Sequence, residues 1–338
     1  MNPRYVPARY FLIALVPILI FAQEAFITTQ FLAMDLAIPA TVIQDGRDWL
    51  EAVGRFRFLG ATWVFAALAV MVFVLVIRDI AQPMRPQTRR VAILVILGIF
   101  LLAMMPTVQY IIAPETPRIF HRLGADLFEN ALGRGTIAGC ATPADRWLFG
   151  PCGEQPVITL LNRTLDMINI CAGLGVGALI VGMILCLDVP QTDDLEKQAQ
   201  HLERNLRRMR RQLYLSGLVL TFGIFFATSW MRWPLPMIGA ADQDAFGAVV
   251  AASSLFTGIY FTLLILSFYL PVALVLDGRR RRLTLRAAGE GQLRDPAKMV
   301  EWQKMRGLAS DPAEVFRSGF ALAAPILAAF AGGVPLAV

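Results

Sequence analysis

Six polar side chains interrupt the apolar stretches of this sequence at positions that would share a similar depth in a membrane. They are Glu24, Thr28, Gln109, Arg163, Asp166 and Asn169. An ionisable group inside a membrane span is costly, and it usually faces the interior of the bundle with a partner or a function. Glu24 is the strongest candidate, with Arg163 as its expected ion-pair partner. Together these groups predict an outward-facing polar pocket for a small ligand, an ion or a proton.

The same groups also fit a structural role, in which interhelical hydrogen bonds and one ion pair hold the bundle together. Asn162, Asp166 and Asn169 are spaced four and three residues apart, so they share a helix face that continues to Gly173 and Gly177. Glycines four residues apart let a second helix approach closely. Asp166 also fits a position at the membrane interface, so both interpretations remain open.

The four cysteines predict at most one disulfide. Cys140 and Cys152 fall in the longest polar loop, and in an oxidising compartment they would close a small loop. The alternative is a pair of reduced thiols. Cys171 and Cys186 lie in one apolar stretch, too far apart along a helix to bond to each other.

Other chemistry is not indicated by the sequence. It lacks the phosphate-binding pattern GxxxxGK[ST], the hydrolase pattern GxSxG, the zinc pattern HExxH and the redox pattern CxxC. Two histidines, His121 and His201, do not make a histidine-rich metal site or a bis-histidine haem site. We therefore expect no cofactor, no metal and no catalytic residue.

Apolar residues between 195 and 213 repeat at alternating spacings of four and three. They are Leu195, Ala199, Leu202, Leu206, Met209 and Leu213. This is the pattern of a coiled coil, and it continues without a helix breaker into the next apolar stretch. It predicts oligomerisation through Leu195, Leu202, Leu206 and Met209, or signal relay along one continuous helix. The alternative is a hairpin with the C-terminal region of the same chain. His201 falls on the exposed side of the pattern, and we expect it to be solvated.

The composition determines the class of protein. The 338 residues are 57% hydrophobic and only 17% charged, with a mean hydropathy of +0.58. Charge is confined to short segments between long apolar runs, which predicts an all-α polytopic integral membrane protein. We expect six transmembrane helices, a cytoplasmic coiled-coil arm at 192–212 between helices 4 and 5, and a C-terminal apolar helical segment. The expected spans are residues 11–33, 58–77, 91–113, 162–187, 213–231 and 246–276.

Arginines determine the predicted orientation, because basic residues beside spans mark the cytoplasmic side. The clusters that we expect to contact anionic lipid headgroups are Arg207, Arg208, Arg210, Arg211, Arg279, Arg280, Arg281 and Arg282. The net charge of +6 is therefore a membrane feature, and no nucleic-acid partner is expected. The predicted location is a bacterial inner membrane, with the N-terminus cytoplasmic and the loop 114–161 outside.

The C-terminal segment 278–338 is predicted to be a basic cytoplasmic stretch followed by an apolar helix. Asp311, Pro312 and Glu314 have the order of a helix start. The apolar residues beyond them fit a seventh span, a re-entrant hairpin or a cytoplasmic helix under the bundle. Pro325 and the following glycines favour the last two alternatives.

Three functions compete at this stage. The first is a non-enzymatic sensor, relay or assembly protein, in which an outer polar pocket is coupled to the cytoplasmic arm, acting as a homo-oligomer or with a membrane partner. The second is an ion channel or small-solute transporter subunit with Glu24 in the path. The third is a membrane enzyme subunit acting on a lipid-linked substrate through Glu24, Arg163 and Asp166.

Overall fold

The computed structural model describes residues 3–30, 48–112, 146–147, 150–151, 156–289, 296–309 and 311–333. Nearly all of them are helical, and six helices are long and apolar enough to cross a membrane. The predicted class of polytopic α-helical membrane protein is therefore confirmed. Cys140 and Cys152 lie outside the described residues, and their disulfide stays a prediction.

Eight α-helices are described. They are α1 (Leu15–Gln30), α2 (Asp48–Ala81), α3 (Pro86–Ile112), α4 (Pro156–Ile184), α5 (Leu195–Arg232), α6 (Ala240–Gly289), α7 (Pro296–Met305) and α8 (Pro312–Gly333). Short 3-10 segments cover Ala8–Ala14, Leu185–Leu187 and Leu235–Met237. The two-residue strands β1 (Arg146–Trp147) and β2 (Gly150–Pro151) pair antiparallel in the loop before α4.

The six long apolar helices are not the same six that the sequence predicted. They cover residues 53–81, 86–105, 164–187, 195–237, 240–289 and 312–332. The expected first span, 11–33, is described as a 3-10 segment followed by the 16 residues of α1, with residues 31–33 outside the described part. The sixth long helix is instead α8, at the C-terminal end.

Helix α8 runs parallel to α5 through the bundle. At its start, Arg210 donates to the Glu314 carboxylate at 2.6 Å, and at its end Gly332 lies against Thr228. These contacts are 18 residues apart on each helix, or about 27 Å, close to the hydrocarbon thickness of a bilayer. Helix α8 is one 22-residue helix with Pro325 inside it, so the segment is not a hairpin. Its length and composition are sufficient to cross a membrane, and whether it does so stays a prediction.

Small residues explain how α8 fits between its neighbours. The α-carbon of Gly217 on α5 lies so close to α8 that an added Cβ would be 2.5 Å from the carbonyl oxygen of Ala321. On α6, an added Cβ at Gly258 would be 2.5 Å from the Cβ of Ala329. This is the close packing that glycine and alanine permit between membrane helices. At the start of α8, Asp311 Oδ1 accepts from the Ala313 N–H at 3.2 Å, which confirms the predicted cap.

The two ends of the bundle differ in composition, and we name them accordingly. The arginine-rich end carries Arg208, Arg211 and Arg279, and the tryptophan end carries Trp230 and Trp233. At the tryptophan end Phe58 packs between both indoles, with ring centroids 5.0 and 5.4 Å away.

Helix α5 is one continuous helix of 38 residues, about 57 Å long, as the uninterrupted pattern predicted. Asp194 caps it by accepting from the N–H groups of Glu196 and Lys197 at 2.9 and 3.3 Å. The heptad side chains face the same chain and not a free surface. Their exposed fractions are Ala199 0%, Leu202 5%, Leu206 8%, Met209 6% and Leu213 0%, and Leu195 is half-buried.

The cover over this face comes from the C-terminal half of the chain. Helix α6 has 50 residues and continues through the arginine run, with Leu283 and Ala287 buried. Beyond it, Trp302 and Leu308 are buried as well, and Arg306 pairs with Glu196 on α5 at 2.6 Å. The intramolecular hairpin is thus the arrangement that forms. Of the proposed oligomerisation residues, Leu202, Leu206 and Met209 are buried within the single chain and Leu195 is half-buried. Oligomerisation through them stays a prediction, since a heptad pattern specifies a buried face but not which segment covers it.

Candidate functional site

A cavity of about 470 Å³ lies between helices α1 to α6, in the half of the bundle nearer the tryptophan end. Its deep end is formed by Ile180, Leu220 and Leu264. Its other end reaches Asn169 and Met231. The wall is apolar apart from five polar side chains, which are Glu24, Asn169, Ser253, Thr257 and Tyr260.

The polar groups are not spread evenly along the cavity. Glu24 and Asn169 lie toward the tryptophan end, whereas the middle of the bundle contributes aliphatic and aromatic side chains. On α6, the Thr257 hydroxyl donates to the Ser253 carbonyl at 2.9 Å, so part of the polar lining is satisfied within its own helix. The cavity is therefore amphipathic along its length.

Close approach of α4 to α3 and α2 shapes the opposite wall. An added Cβ at Gly173 would lie 2.8 Å from the Cβ of Ala103, and one at Gly175 would lie 3.0 Å from the Cβ of Ala69. Gly177 approaches the backbone of Ile96 in the same way. The prediction that Gly173 and Gly177 mark a helix-packing face is confirmed.

The structure brings together two of the six predicted pocket residues. Glu24 and Asn169 line the cavity from different helices, α1 and α4. Asp166 lies one turn from Asn169, is half-buried and does not line the cavity. The other three side chains, and with them the expected Glu24–Arg163 ion pair, lie outside the described part of the chain: Thr28, Gln109 and Arg163.

A second polar centre lies at the arginine-rich end, around Asp188. This residue directly follows the 3-10 segment after α4 and is 1% exposed. Arg4 Nε donates to its Oδ2 at 3.0 Å, and His201 Nε2 lies 2.7 Å from its Oδ1. Burial raises the pKa of the Asp188 carboxyl, but the hydrogen bonds and charges of His201 and Arg4 outweigh it and hold that pKa below its usual value.

The backbone carbonyl of Asp188 also accepts hydrogen bonds from other helices. Its carbonyl oxygen accepts from Asn205 Nδ2 at 3.1 Å and from an Arg279 guanidinium nitrogen at 2.9 Å. Arg279 also donates to the Leu187 carbonyl at 2.8 Å. These contacts join the N-terminal segment, α4, α5 and α6 at one point, because carbonyls at the end of a helix lack partners within the helix.

Sequence reasoning missed this centre. His201 was expected to be solvated, but its side chain is only 20% exposed and pairs with Asp188. The position of His201 in the heptad pattern gave the wrong expectation, because residues outside the apolar face of α5 still contact the linker that precedes this helix. The available signal was an acidic residue placed directly at the end of an apolar span, with arginines on the neighbouring segments.

Most of the arginines expected to contact headgroups form ion pairs or hydrogen bonds with other residues of the chain. Arg210 pairs with Glu314 at 2.6 Å and Arg211 with Asp79 at 3.2 Å. The remaining pairs with carboxylates are Arg207 with Glu203, and Arg280 and Arg281 with Asp277. Arg279 is bound to carbonyls, so a purely lipid-facing role does not describe this cluster.

Within the described residues no group of three or more metal-ligating side chains comes together. Comparison with known proteins found no match to this chain among family models, curated proteins or solved structures.

Proposed function

We propose that this chain is a non-enzymatic membrane protein that binds a small amphipathic molecule in the cavity and relays its presence to the arginine-rich end. The observation that carries the proposal is the lining of the cavity, with an apolar end deep in the bundle and the Glu24 carboxylate and Asn169 amide at the other end. Binding sites for small molecules are typically apolar with a few polar groups that fix orientation. The ligand class is a molecule with a short apolar chain and a cationic or hydrogen-bonding head.

The connection between the two polar centres supports relay. Helices α4, α5 and α6 all line the cavity, and Asp188 at the end of α4 contacts both α5 and α6. Arg4 joins the same point from the segment that precedes α1, and α1 itself lines the cavity. A ligand that shifts any of these helices acts on the Asp188 contacts at the other end. By the positive-inside rule, the arginine-rich end faces the cytoplasm of a bacterial inner membrane.

Dense packing below the cavity favours binding over transport. Toward Asp188, the apolar residues from Ala178 to Leu187, in α4 and the 3-10 segment after it, are all 2% exposed or less. A transported solute would need this layer to open. Transport remains the second function to test, and an enzyme acting on a lipid-linked substrate is the third.

The binding step is tested with the full chain in phosphatidylcholine nanodiscs, using dodecylamine and dodecanoate as probes. Dodecylamine should raise the unfolding temperature saturably, and dodecanoate should have less effect because the Glu24 carboxylate repels it. Ala172→Phe on the cavity wall should abolish the shift, and Ala227→Phe gives the same test from α5. The control is Ala67→Phe, an exposed residue of α2 outside the cavity.

Equal shifts in Ala172→Phe, Ala227→Phe and Ala67→Phe would contradict binding in the cavity. Relay is tested by hydrogen exchange, which should slow over residues 188–205 when dodecylamine binds. If hydrogen exchange over residues 188–205 did not change, the relay part of the proposal would be contradicted and only ligand binding would be supported. Transport is tested by measuring solute uptake or conductance in proteoliposomes. An activity that is lost in Glu24→Gln would make transport the proposed function in place of relay.

A further inference from the structure

A second cavity, of about 500 Å³, opens at the arginine-rich end, separate from the one between the spans. It lies between the linker that follows α4, the first turns of α5 and the continuation of α6 beyond Leu276. Its polar wall includes His201 and Asn205 from α5, and Arg279, Arg282 and Arg286 from α6.

The charge of this pocket is strongly positive. Its three arginines are spaced three and four residues apart, so they share one face of α6. Arg282 and Arg286 are exposed, and neither has a carboxylate partner in the part of the chain that the structure describes. The lining contains a single acidic residue, Asp193. Two planar guanidinium groups without partners match the geometry of a phosphate or carboxylate.

Asn205, which lines the same pocket, carries a buried acceptor. It is 1% exposed, and its Nδ2 donates to the Asp188 carbonyl, which fixes the orientation of the amide. Among the residues that the structure describes, its Oδ1 has no hydrogen-bond partner. A buried acceptor without a donor is costly, so this atom favours a ligand that brings a hydroxyl group. Inorganic phosphate and, in part, a phosphomonoester keep a hydroxyl at neutral pH, whereas sulfate and phosphodiesters have none.

The position of the pocket relative to the membrane admits two sources of phosphate. Arg279 lies one turn beyond the apolar part of α6, at the depth of lipid headgroups. Arg286 lies ten residues beyond Leu276, or about 15 Å along the helix, which exceeds the thickness of the headgroup layer. The pocket therefore reaches from the headgroups into the aqueous phase.

We propose that this pocket binds a phosphate-bearing anion, with Arg282 and Arg286 on the phosphate oxygens and Asn205 Oδ1 accepting from its hydroxyl. The phosphate is either that of a soluble molecule or a lipid headgroup. Arg279 is a positioning residue, because its donors already hold the end of α4. This inference is independent of the ligand proposed for the cavity between the spans.

The test measures the unfolding temperature of the full chain in phosphatidylcholine nanodiscs at neutral pH. Inorganic phosphate is titrated at constant ionic strength against chloride and sulfate. A separate series adds phosphatidic acid to the nanodiscs. The test variant is Arg282→Gln with Arg286→Gln. The control is Arg204→Gln with Arg281→Gln, which removes the same charge from two exposed arginines outside the pocket.

We expect phosphate or phosphatidic acid to raise the unfolding temperature saturably, and the test variant to weaken this at least about tenfold, as the loss of a charge-assisted hydrogen bond implies. The control should respond like the wild type. A response to inorganic phosphate identifies a soluble source, and a response to phosphatidic acid alone identifies a headgroup. Equal weakening in both variants, equal stabilisation by sulfate, or no saturable shift with either probe would overturn the proposal.

Discussion

His201 Nε2 lies 2.7 Å from Asp188 Oδ1, across the linker that joins α4 to α5. Both side chains are largely removed from water, and Arg4 completes the group from the N-terminal segment at 3.0 Å. Buried charges are tolerated when they are paired and hydrogen-bonded. The contact therefore ties the start of the chain and the start of α5 to the end of α4, at the arginine-rich end of the bundle.

Removing the Asp188 charge should destabilise the protein in a pH-dependent way. The folded-state pKa of Asp188 lies below its ordinary value of 3.8, so its stabilising effect is complete above that pH. The effect is lost as the pH falls through the folded-state pKa, where the carboxyl is protonated in both states. We expect Asp188→Asn to lower the free energy of unfolding by roughly 3–5 kcal/mol at pH 7, as for one partner of a buried ion pair.

The measurement is thermal unfolding in mild detergent between pH 7 and pH 3, and the difference between wild type and Asp188→Asn should shrink toward the acid end. Asp194→Asn is the control, because Asp194 is exposed and asparagine also caps helices well. A difference of constant size across this pH range would contradict the charge-based account.

Two glycine substitutions should have opposite effects. Gly217→Ala places a Cβ 2.5 Å from the Ala321 carbonyl oxygen, so α8 must move away from α5. We expect a loss of about 1–3 kcal/mol in the free energy of unfolding, as for an overpacked core. Gly60→Ala adds its Cβ where no other described helix comes within 4 Å, and should stabilise α2 by up to about 1 kcal/mol through helix propensity. Similar stability changes for both variants would show that α8 does not pack against Gly217.

Truncating the heptad face should affect stability and not association. Leu206 is 8% exposed within the single chain, so Leu206→Ala should cost about 2–5 kcal/mol. Sedimentation in detergent should give the same molar mass for the variant and the wild type. Leu285→Ala, at a side chain 66% exposed on the same end of the bundle, should change stability by less than about 0.5 kcal/mol. If Leu206→Ala dissociated an oligomer, the result would support an intermolecular coiled coil instead.

Cysteines placed at the two ends of α8 should label from opposite sides of the membrane. Ala313 lies near the arginine-rich end and Ala331 near the tryptophan end, and both are exposed. A membrane-impermeant maleimide should label Ala313→Cys from the side of the arginine-rich end and Ala331→Cys from the other side. The unsubstituted chain gives the background from the native cysteines. Labelling of both from one side would mean that α8 does not cross the bilayer.

The sequence alone determined the class of protein and much of its helical layout. Long apolar runs with few charges require helices in a membrane, because every backbone polar group must be satisfied within the segment. The unbroken pattern after Pro190 correctly predicted one long α5, and the order of Asp311, Pro312 and Glu314 correctly predicted the start of α8. Glycine spacing on α4 likewise predicted its close packing. Each of these features depends on residues near one another in the chain.

The partners of buried faces and charges were decided only by the tertiary structure. The heptad period specified a buried side of α5, but not that α6 and the segment beyond it would cover that side. Asp188 finds Arg4 at a separation of 184 residues, and no local pattern links them. Glu24 and Asn169 share a cavity only because the folded bundle places α1 and α4 on its border. A sequence period states that a face is buried, whereas its partner is selected by the packing of the whole chain.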